Sequence, residues 1–376
     1  MSSTNRWPTM KLGDICYIIY GKALKKSDRA EGPVPVYGSN GVIDYHSEAL
    51  FEDPTIVVGR KGSAGAVEWS DSSCWIIDTA FSVRPRSDDV DLRWLYWALK
   101  YLDLGKLQKH AAVPGISKSD VLREDILLPP LSEQQRIAEI LDYAQSLQST
   151  SYRKLSRYAR LRESLFNEHF GNPATNPYEF PLVPLGELSK VFSDGPFGSN
   201  LKSSHYTPDG VRVIRLQNIG IGEFIDRDNA FISEEHFQSI RKHECLPGDI
   251  VVGTLGDPNL RACLLPEEIT PAINKADCVQ IRVDDSEANA VWLCQLLNMP
   301  GTLRLSQAIV KGQTRARIAM GRLRKLKVPV PPLHLQENFA FQLEMLQTQE
   351  ALAKEREEKL RALTFSLSTR AFAGQL

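Results

Sequence analysis

The sequence has no surplus of charge. Its 45 Lys and Arg stand against 46 Asp and Glu, a formal net charge of −1. The chain as a whole is therefore no polycation, and any nucleic-acid surface has to be a local patch. Cysteine is sparse: Cys16, Cys74, Cys245, Cys263, Cys278 and Cys294 contain no CxxC pair and no histidine at metal-ligand spacing. That argues against a zinc ribbon or a disulfide scaffold, and favours reduced thiols in a cytoplasmic protein. No apolar run reaches the roughly 20 residues of a membrane span. Met1-Ser2-Ser3-Thr4-Asn5-Arg6 lacks the apolar core of a signal peptide.

Catalytic signatures are missing as well. Gly59-Arg60-Lys61-Gly62-Ser63-Ala64-Gly65 has the flavour of a phosphate loop without its spacing. Asn176-Pro177-Tyr178 lacks the second proline of an amino-methyltransferase motif. There is no His-Glu-x-x-His, no Gly-x-Ser-x-Gly and no cofactor fingerprint after a strand, and the histidines are scattered. These absences point to a recognition protein with no catalytic residue, no metal and no cofactor of its own.

What is present is a repeat. Residues 129–172 open on Pro129-Pro130-Leu131-Ser132-Glu133-Gln134-Gln135 and continue without Pro or Gly to Gly171. The spacing predicts one helix of roughly 58 Å, with Ser132 as N-cap and Gln135 closing a capping box. The segment recurs at a shift of 202 residues from Pro331-Pro332-Leu333, with His334 as a weaker cap. Gln134 falls on Gln336, Ile137 on Phe339, and Leu141 on Leu343. Upstream, Leu12-Gly13-Asp14 returns as Leu185-Gly186-Glu187, and Ile56-Val57-Val58-Gly59 as Ile250-Val251-Val252-Gly253. The growing offset signals insertions in the second half, as for loops on a common scaffold. Length alone allows two to three domains. The repeat makes the chain a tandem of globular part, helix, globular part, helix.

Strands are expected at 14–20, 55–59, 66–69, 74–77 and 81–84, then at 212–216, 249–252 and 278–283. Helices are expected at 92–101 and 288–297. The class is α+β. Each long helix carries an imperfect apolar stripe and has to bury it. Antiparallel pairing of the two helices is one solution, and packing of each on its own domain is the other. Arg153, Lys154, Arg157, Arg160 and Arg162 in the first helix and Glu344, Glu350, Glu355, Glu357 and Glu358 in the second favour pairing, at little energy per pair.

The positive signal for function is basic and glycine-rich. Lys311, Gln313, Thr314, Arg315 and Arg317 lie in a stretch without acids. Such a run is either a solvated face or a set of phosphate and base-edge donors. Its first-half counterpart holds Lys109, His110, Ser117 and Lys118. Loop-tip candidates are Tyr37, Ser39, Asn40, Arg60, Lys61 and Ser63 in the first half, and Ser199, Arg215, Gln217, Asn218 and Arg261 in the second. Gly-Ser-Asn loops are also ordinary turns. Candidates for a subunit interface on the helices are Gln134, Gln135, Ile137, Leu141, Gln336, Phe339 and Leu343.

Val36-Tyr37-Gly38-Ser39-Asn40-Gly41, 56–65 and Ile76-Ile77-Asp78-Thr79-Ala80-Phe81 resemble one type of target-recognition domain of the specificity subunit of type I restriction-modification systems. Pro114-Gly115-Ile116-Ser117 followed by 127–134 resembles the exit into the family's repeated helix. Asp194-Gly195-Pro196-Phe197-Gly198-Ser199 and 213–219 resemble a second domain type. Two departures are the Leu333-His334-Leu335-Gln336-Glu337 start of the second helix, without Ser-Glu-Gln, and Ala316-Arg317-Ile318-Ala319 in place of Pro-Gly-Ile-Ser.

The resemblance implies two pseudo-symmetric target-recognition domains, at 1–128 and 173–330, separated by spacer helices at 129–172 and 331–376 that form an antiparallel coiled coil. It implies double-stranded DNA as ligand, each domain reading half of a bipartite site. It also implies two DNA-methyltransferase (modification) subunits as partners, with restriction/translocase subunits as further ones, and no membrane. The alternatives are a coiled-coil scaffold that binds only proteins and an orphan DNA-binding protein.

Overall fold

The computed structural model describes residues 7–108, 115–311 and 317–376, with Lys311 in its backbone alone. It divides into two compact units: Met1–Arg153 with Ala353–Leu376, and Lys154–Leu352.

In the first unit, β1 (Thr9–Lys11) leads into a helical turn, α1 (Leu12–Ile15), and then β2 (Cys16–Tyr20). The strand expected at 14–20 therefore starts late. Leu12 and Ile15, 0% and 4% exposed, enter the core at helical rather than strand spacing. Next come β3 (Val34–Gly38), β4 (Gly41–His46), β5 (Thr55–Gly59), β6 (Val67–Ser70), β7 (Trp75–Ile76), β8 (Ala80–Pro85), α2 (Leu92–Tyr101), α3 (Lys118–Leu122) and β9 (Asp125–Leu127). An antiparallel sheet runs β2-β8-β5-β6, a smaller one β4-β3-β7, and β1 pairs with β9. The 37–41 segment, expected as a loop tip, is the closed end of the β3–β4 hairpin, with Gly41 at φ +99°.

The long helix α4 (Leu131–Phe170) follows, and then the second unit. Its elements are β10 (Leu182–Pro184), β11 (Ser189–Ser193), β12 (Tyr206–Thr207), β13 (Val211–Ile214), β14 (Phe231–Ile232), α5 (Glu234–Ser239), β15 (Glu244–Cys245), β16 (Ile250–Gly253), β17 (Arg261–Leu264), β18 (Ala272–Asn274) and β19 (Cys278–Val283). It finishes with α6 (Ala290–Asn298), α7 (Pro300–Gln307), β20 (Val310–Lys311), β21 (Arg317–Ile318), α8 (Met320–Leu323) and β22 (Lys327–Pro329) before the long helix α9 (Leu333–Phe372). The order β11-β19-β16-β17 repeats β2-β8-β5-β6, and β10–β22 repeats β1–β9. The insertions enlarge the small sheet to β12-β14-β13-β18-β15.

Each core centres on a fully buried tryptophan, Trp94 on α2 and Trp292 on α6. The long helices contribute to both cores in mirror fashion. The first core takes Ile137 and Leu141 from the start of α4 and Ala371 from the end of α9. The second takes Phe339 and Leu343 from the start of α9 and Phe166 and Phe170 from the end of α4. Within the first unit Arg136 Nη2 donates to Leu376 O (2.9 Å). Within the second, Phe166 meets Phe339 at 5.5 Å and Arg162 pairs with Glu350. Early α4 thus meets late α9, and late α4 early α9, so the helices run antiparallel in each unit. Pairing with each other and packing on a domain are not alternatives here, because each helix end does both.

The helix starts differ from the expected capping box. Helix α4 begins one residue before Ser132, and the Pro130 carbonyl accepts from the Glu133 and Gln134 amides (2.9 and 3.0 Å). Likewise α9 begins at Leu333, before His334, on the Pro332 carbonyl. The cap is a proline carbonyl because the helical turn has already closed when the chain reaches the serine.

Candidate nucleic-acid interface

In the first unit three segments meet beyond the end of β5. The Arg60 and Lys61 amides both donate to Thr79 O (2.8 and 3.2 Å), the Ile116 amide donates to Arg60 O (3.0 Å), and Lys61 bridges to Gly115. The hairpin tip joins them through Ser39 Oγ, which donates to Thr79 O at 2.6 Å. Gly59 allows this approach, since a Cβ there would lie 2.4 Å from both Ser39 O and Ser63 O. At the junction Arg60 Nη1 donates to Asp78 O (3.2 Å), and its guanidinium carbon lies 5.1 Å from the Tyr20 ring centre. Tyr20 is half exposed, rests edge-on against Phe81 (5.1 Å), and has Lys118 Nζ at 5.9 Å. Asn40, Lys61 and Ser63 are exposed around the same spot. Arg60, Lys61, Ser63, Ser39, Asn40, Ser117 and Lys118, scattered over some eighty residues, are therefore neighbours.

The second unit rebuilds the junction. The Thr254 amide donates to Asp277 O (3.0 Å), the Ile318 amide to Thr254 O (3.0 Å), and Leu255 bridges to Arg317. Arg317 Nε lies 2.8 Å from Asp277 Oδ1, and the guanidinium is 5.7 Å from the exposed Phe197 ring. Burial raises the Asp194 carboxyl above the usual carboxylate range, Arg317 pulls it back, and Asp277 adds to the rise. Lys275 Nζ donates to Tyr206 OH (2.8 Å), and Arg215 lies 6.0 Å from the same ring. Gly195 permits close approach of the 194–199 loop, because a Cβ would meet Asn274 O at 2.4 Å.

Several candidates belong to the fold instead. Tyr37 is 8% exposed, with its hydroxyl donating to Trp69 O (3.3 Å), and burial raises its pKa. Ser39 is held by Thr79, and Ser117 caps α3 by accepting from the Asp120 amide (3.1 Å). Asn218 is fully buried, accepts from the Arg215 amide and donates to Ile225 O and Arg227 O. Arg261 donates to the carbonyls of Ile219, Leu216, Leu255 and Pro258, so four of its five N–H groups pin loops. Ser199 and Gln217 are exposed. Lys109, His110, Gln313, Thr314 and Arg315 lie outside the described residues, as does the Lys311 side chain.

The helix residues expected at a subunit interface are mostly inside. Ile137, Leu141, Phe339 and Leu343 are at most 1% exposed, filling the cores. Gln134 and Gln336 are buried latches. Gln134 Oε1 accepts from the amide of Asp91, the cap of α2, and its Nε2 donates to Asp89 O and Pro129 O. Gln336 Oε1 accepts from the amide of Asn289, the cap of α6, and its Nε2 donates to Pro331 O. Of the seven, only Gln135 is exposed. What the helices leave open in the first unit is an apolar groove of about 310 Å³, lined by Ile140, Tyr143 and Leu147 of α4 and Leu360, Leu363 and Leu367 of α9.

Tyr20, Asp277, Tyr206 and Lys275 were not singled out from sequence, and Phe197 stood only within the Gly195-Pro196-Phe197-Gly198-Ser199 stretch. Tyr20 had a signal, an aromatic at the end of a strand followed by Gly21-Lys22. Tyr206 and Lys275 depend on the second unit's enlarged sheet, and Asp277 sits in the turn before β19. All six cysteines are buried free thiols, and burial pushes Cys16 and Cys263 up to about 12. Among the described residues no helix is long and apolar enough to cross a membrane.

Residues 5–156 match the family model of the type I restriction modification DNA specificity domain. A Haemophilus influenzae chain described as a type I restriction enzyme specificity subunit is 24% identical over 344 residues, covering 87% of this chain and 83% of that one. The specificity subunit of the Methanocaldococcus jannaschii type I restriction enzyme MjaVIII is 20% identical over 379 residues, covering 94% and 89%. The type I restriction-modification S subunit from M. genitalium shares the fold at a TM-score of 0.65 and 17% identity, with 99% and 97% of the two chains covered. This chain is similar along most of its length to type I restriction-modification specificity subunits, and its residues 5–156 match the model of their DNA specificity domain.

Proposed function

We propose that the chain is the DNA-recognition subunit of a type I restriction-modification complex, its globular parts at 1–128 and 173–330 each reading one half of a bipartite double-stranded site. The observation that carries this reading is the repeated junction. One backbone scaffold presents Arg60, Lys61, Lys118 and Tyr20 in one unit, and Arg317, Arg215, Lys275 and Phe197 in the other. The same frame with unlike side chains suits two unlike half-sites, with cations for phosphates and oriented donors for base edges. The basic residues Lys109, His110, Lys311, Gln313, Thr314 and Arg315 extend the proposed surface on sequence grounds.

The helices at 129–172 and 331–376 are assigned the unread spacer and the docking of two modification (methyltransferase) subunits. The apolar groove between Tyr143 and Leu363, rather than the buried Gln134 or Phe339, is the surface offered to them. Methyl transfer, and any translocation and cleavage by restriction subunits, would reside in those partners, in the cytoplasm.

Methylome sequencing of cells carrying the modification subunit, with and without this chain, tests the reading. The expected result is a bipartite motif methylated in both halves that disappears without the chain. Exchanging 178–330 for the same region of a relative should change one half only. A modified genome with no motif dependent on the chain, despite an assembled complex, would refute it.

A further inference from the structure

Most cations near the junctions are committed elsewhere or free to swing. Arg261 spreads over four carbonyls, Arg212 is 5% exposed and paired with Asp226, and Arg215 donates to Asp228 O. Lys61 and Lys118 are flexible point charges. Two arginines differ. Arg60 has one nitrogen anchored on Asp78 O and one face toward Tyr20, while its Nε and Nη2 have no hydrogen-bond partner among the described residues. Arg317 has Nε in an ion pair 2.8 Å from Asp277 Oδ1, without hydrogen-bond alignment, and one face toward Phe197, while its Nη1 and Nη2 have no partner among the described residues. Each therefore retains a two-donor edge beside one anchoring contact and one aromatic face.

The two arginines reach this state from opposite sides of the same junction. Arg60 sits on the segment after β5, whose counterpart in the second unit is Thr254. Arg317 sits across the Leu255 bridge, where the first unit has Gly115 across from Lys61. The anchor is the turn before β8 in one case and before β19 in the other, and the aromatic comes from the end of β2 or the loop after β11. The arrangement recurs although the residues supplying it are not aligned.

A phosphate can be met by any cation, Lys61 and Lys118 included, although an arginine fork can also bind it bidentately. Bidentate readout of guanine O6 and N7 requires a two-donor edge in one plane, and pre-orientation lowers its entropic cost. We propose that Arg60 and Arg317 are the guanine-reading side chains of the two half-sites, so that each half of the motif contains one G·C pair set by its arginine. This rests on the function proposed above.

The test uses the assembled complex with its modification subunits. The wild-type motif is first defined by methylome sequencing. R60A, R60K, R317A and R317K are then compared for binding to duplexes permuted at each motif position, across a salt series. The expected result for R60A is a loss of about tenfold or more in discrimination at one G·C position of one half. The other half stays intact, the salt slope barely changes, and lysine gives no rescue. R317A does the same in the other half. A uniform loss over all sequences with a salt slope reduced by about one would mark a phosphate contact and overturn the proposal. Rescue by lysine, or a half-motif without G·C, would overturn it too. Thermal melting of each variant identifies misfolding, in which case the lysine variants decide. If the wild-type complex has no bipartite motif, the function reading fails first.

Discussion

Asp249 is 3% exposed, and its carboxylate receives Arg282 Nε and Nη2 (both 2.9 Å), Gln280 Nε2 (2.7 Å) and the Leu246 amide (2.7 Å). Arg282 is about a third exposed, so its loss of a partner is partly offset by water, and D249A should destabilise the second unit by about 1–3 kcal/mol through the donors it strands. Chemical denaturation followed by Trp292 fluorescence measures this. His243 behaves differently. Burial lowers its pKa from the ordinary 6.5, although Nδ1 donates to Asp194 O at 2.7 Å. The folded state then binds fewer protons there than the unfolded chain, so this contribution is full above about pH 6.5 and is lost as the pH falls through the folded value. Urea midpoints of the wild type should drop between pH 7.5 and 5.5, and H243N should flatten part of that drop. An unchanged pH profile in H243N would show that other groups set it.

Gln134 and Gln336 tie each long helix to the cap of a short one. Q134A would leave the Asp91 amide and the Pro129 carbonyl unpaired away from water, at about 1–3 kcal/mol per group. Exposed Q135A should cost almost nothing. Paired melts of Q134A and Q135A check this, and equal melts would mean that water replaces the latch. The exact register of Gln134 on Gln336 was plain in the sequence, but its meaning was not. A repeated polar residue at a helix start looks like a surface for a partner until the amides that donate to it, 43 and 47 residues upstream, are known. The α+β class, the long helices and their antiparallel pairing were legible, because period and repeat state them directly. The β3–β4 hairpin was missed because its Val36-Tyr37-Gly38 run ends in turn residues and was read as all turn. The junctions were half legible: glycine-rich basic loops were visible, whereas their meeting depends on Gly59 and Gly195 admitting neighbouring backbone.

Across the molecule, the first unit is assembled from two distant stretches, while the second is continuous. Ala371 lies in the first core, with Leu367, Phe372 and Leu376 packed against it, and Phe372 stacks on Tyr101 at 4.9 Å. Deleting 353–376 should therefore lower hydrogen-exchange protection at Ile56 and Val83 while leaving Val252 and Ile281 protected. Equal loss in both units would mean that they unfold as one.

That discontinuity also sets an order for a chain emerging from the ribosome. Domains ordinarily mature from the N-terminal end, at about 5–20 residues per second. Here the roughly 200 residues of Lys154–Leu352 take about 10–40 s to appear before the first unit receives its last segment. The second unit can finish while the first still waits, its apolar surface under α9 uncovered. The interval in which a chaperone is most needed thus falls while Lys154–Leu352 is being made, and on the part made first.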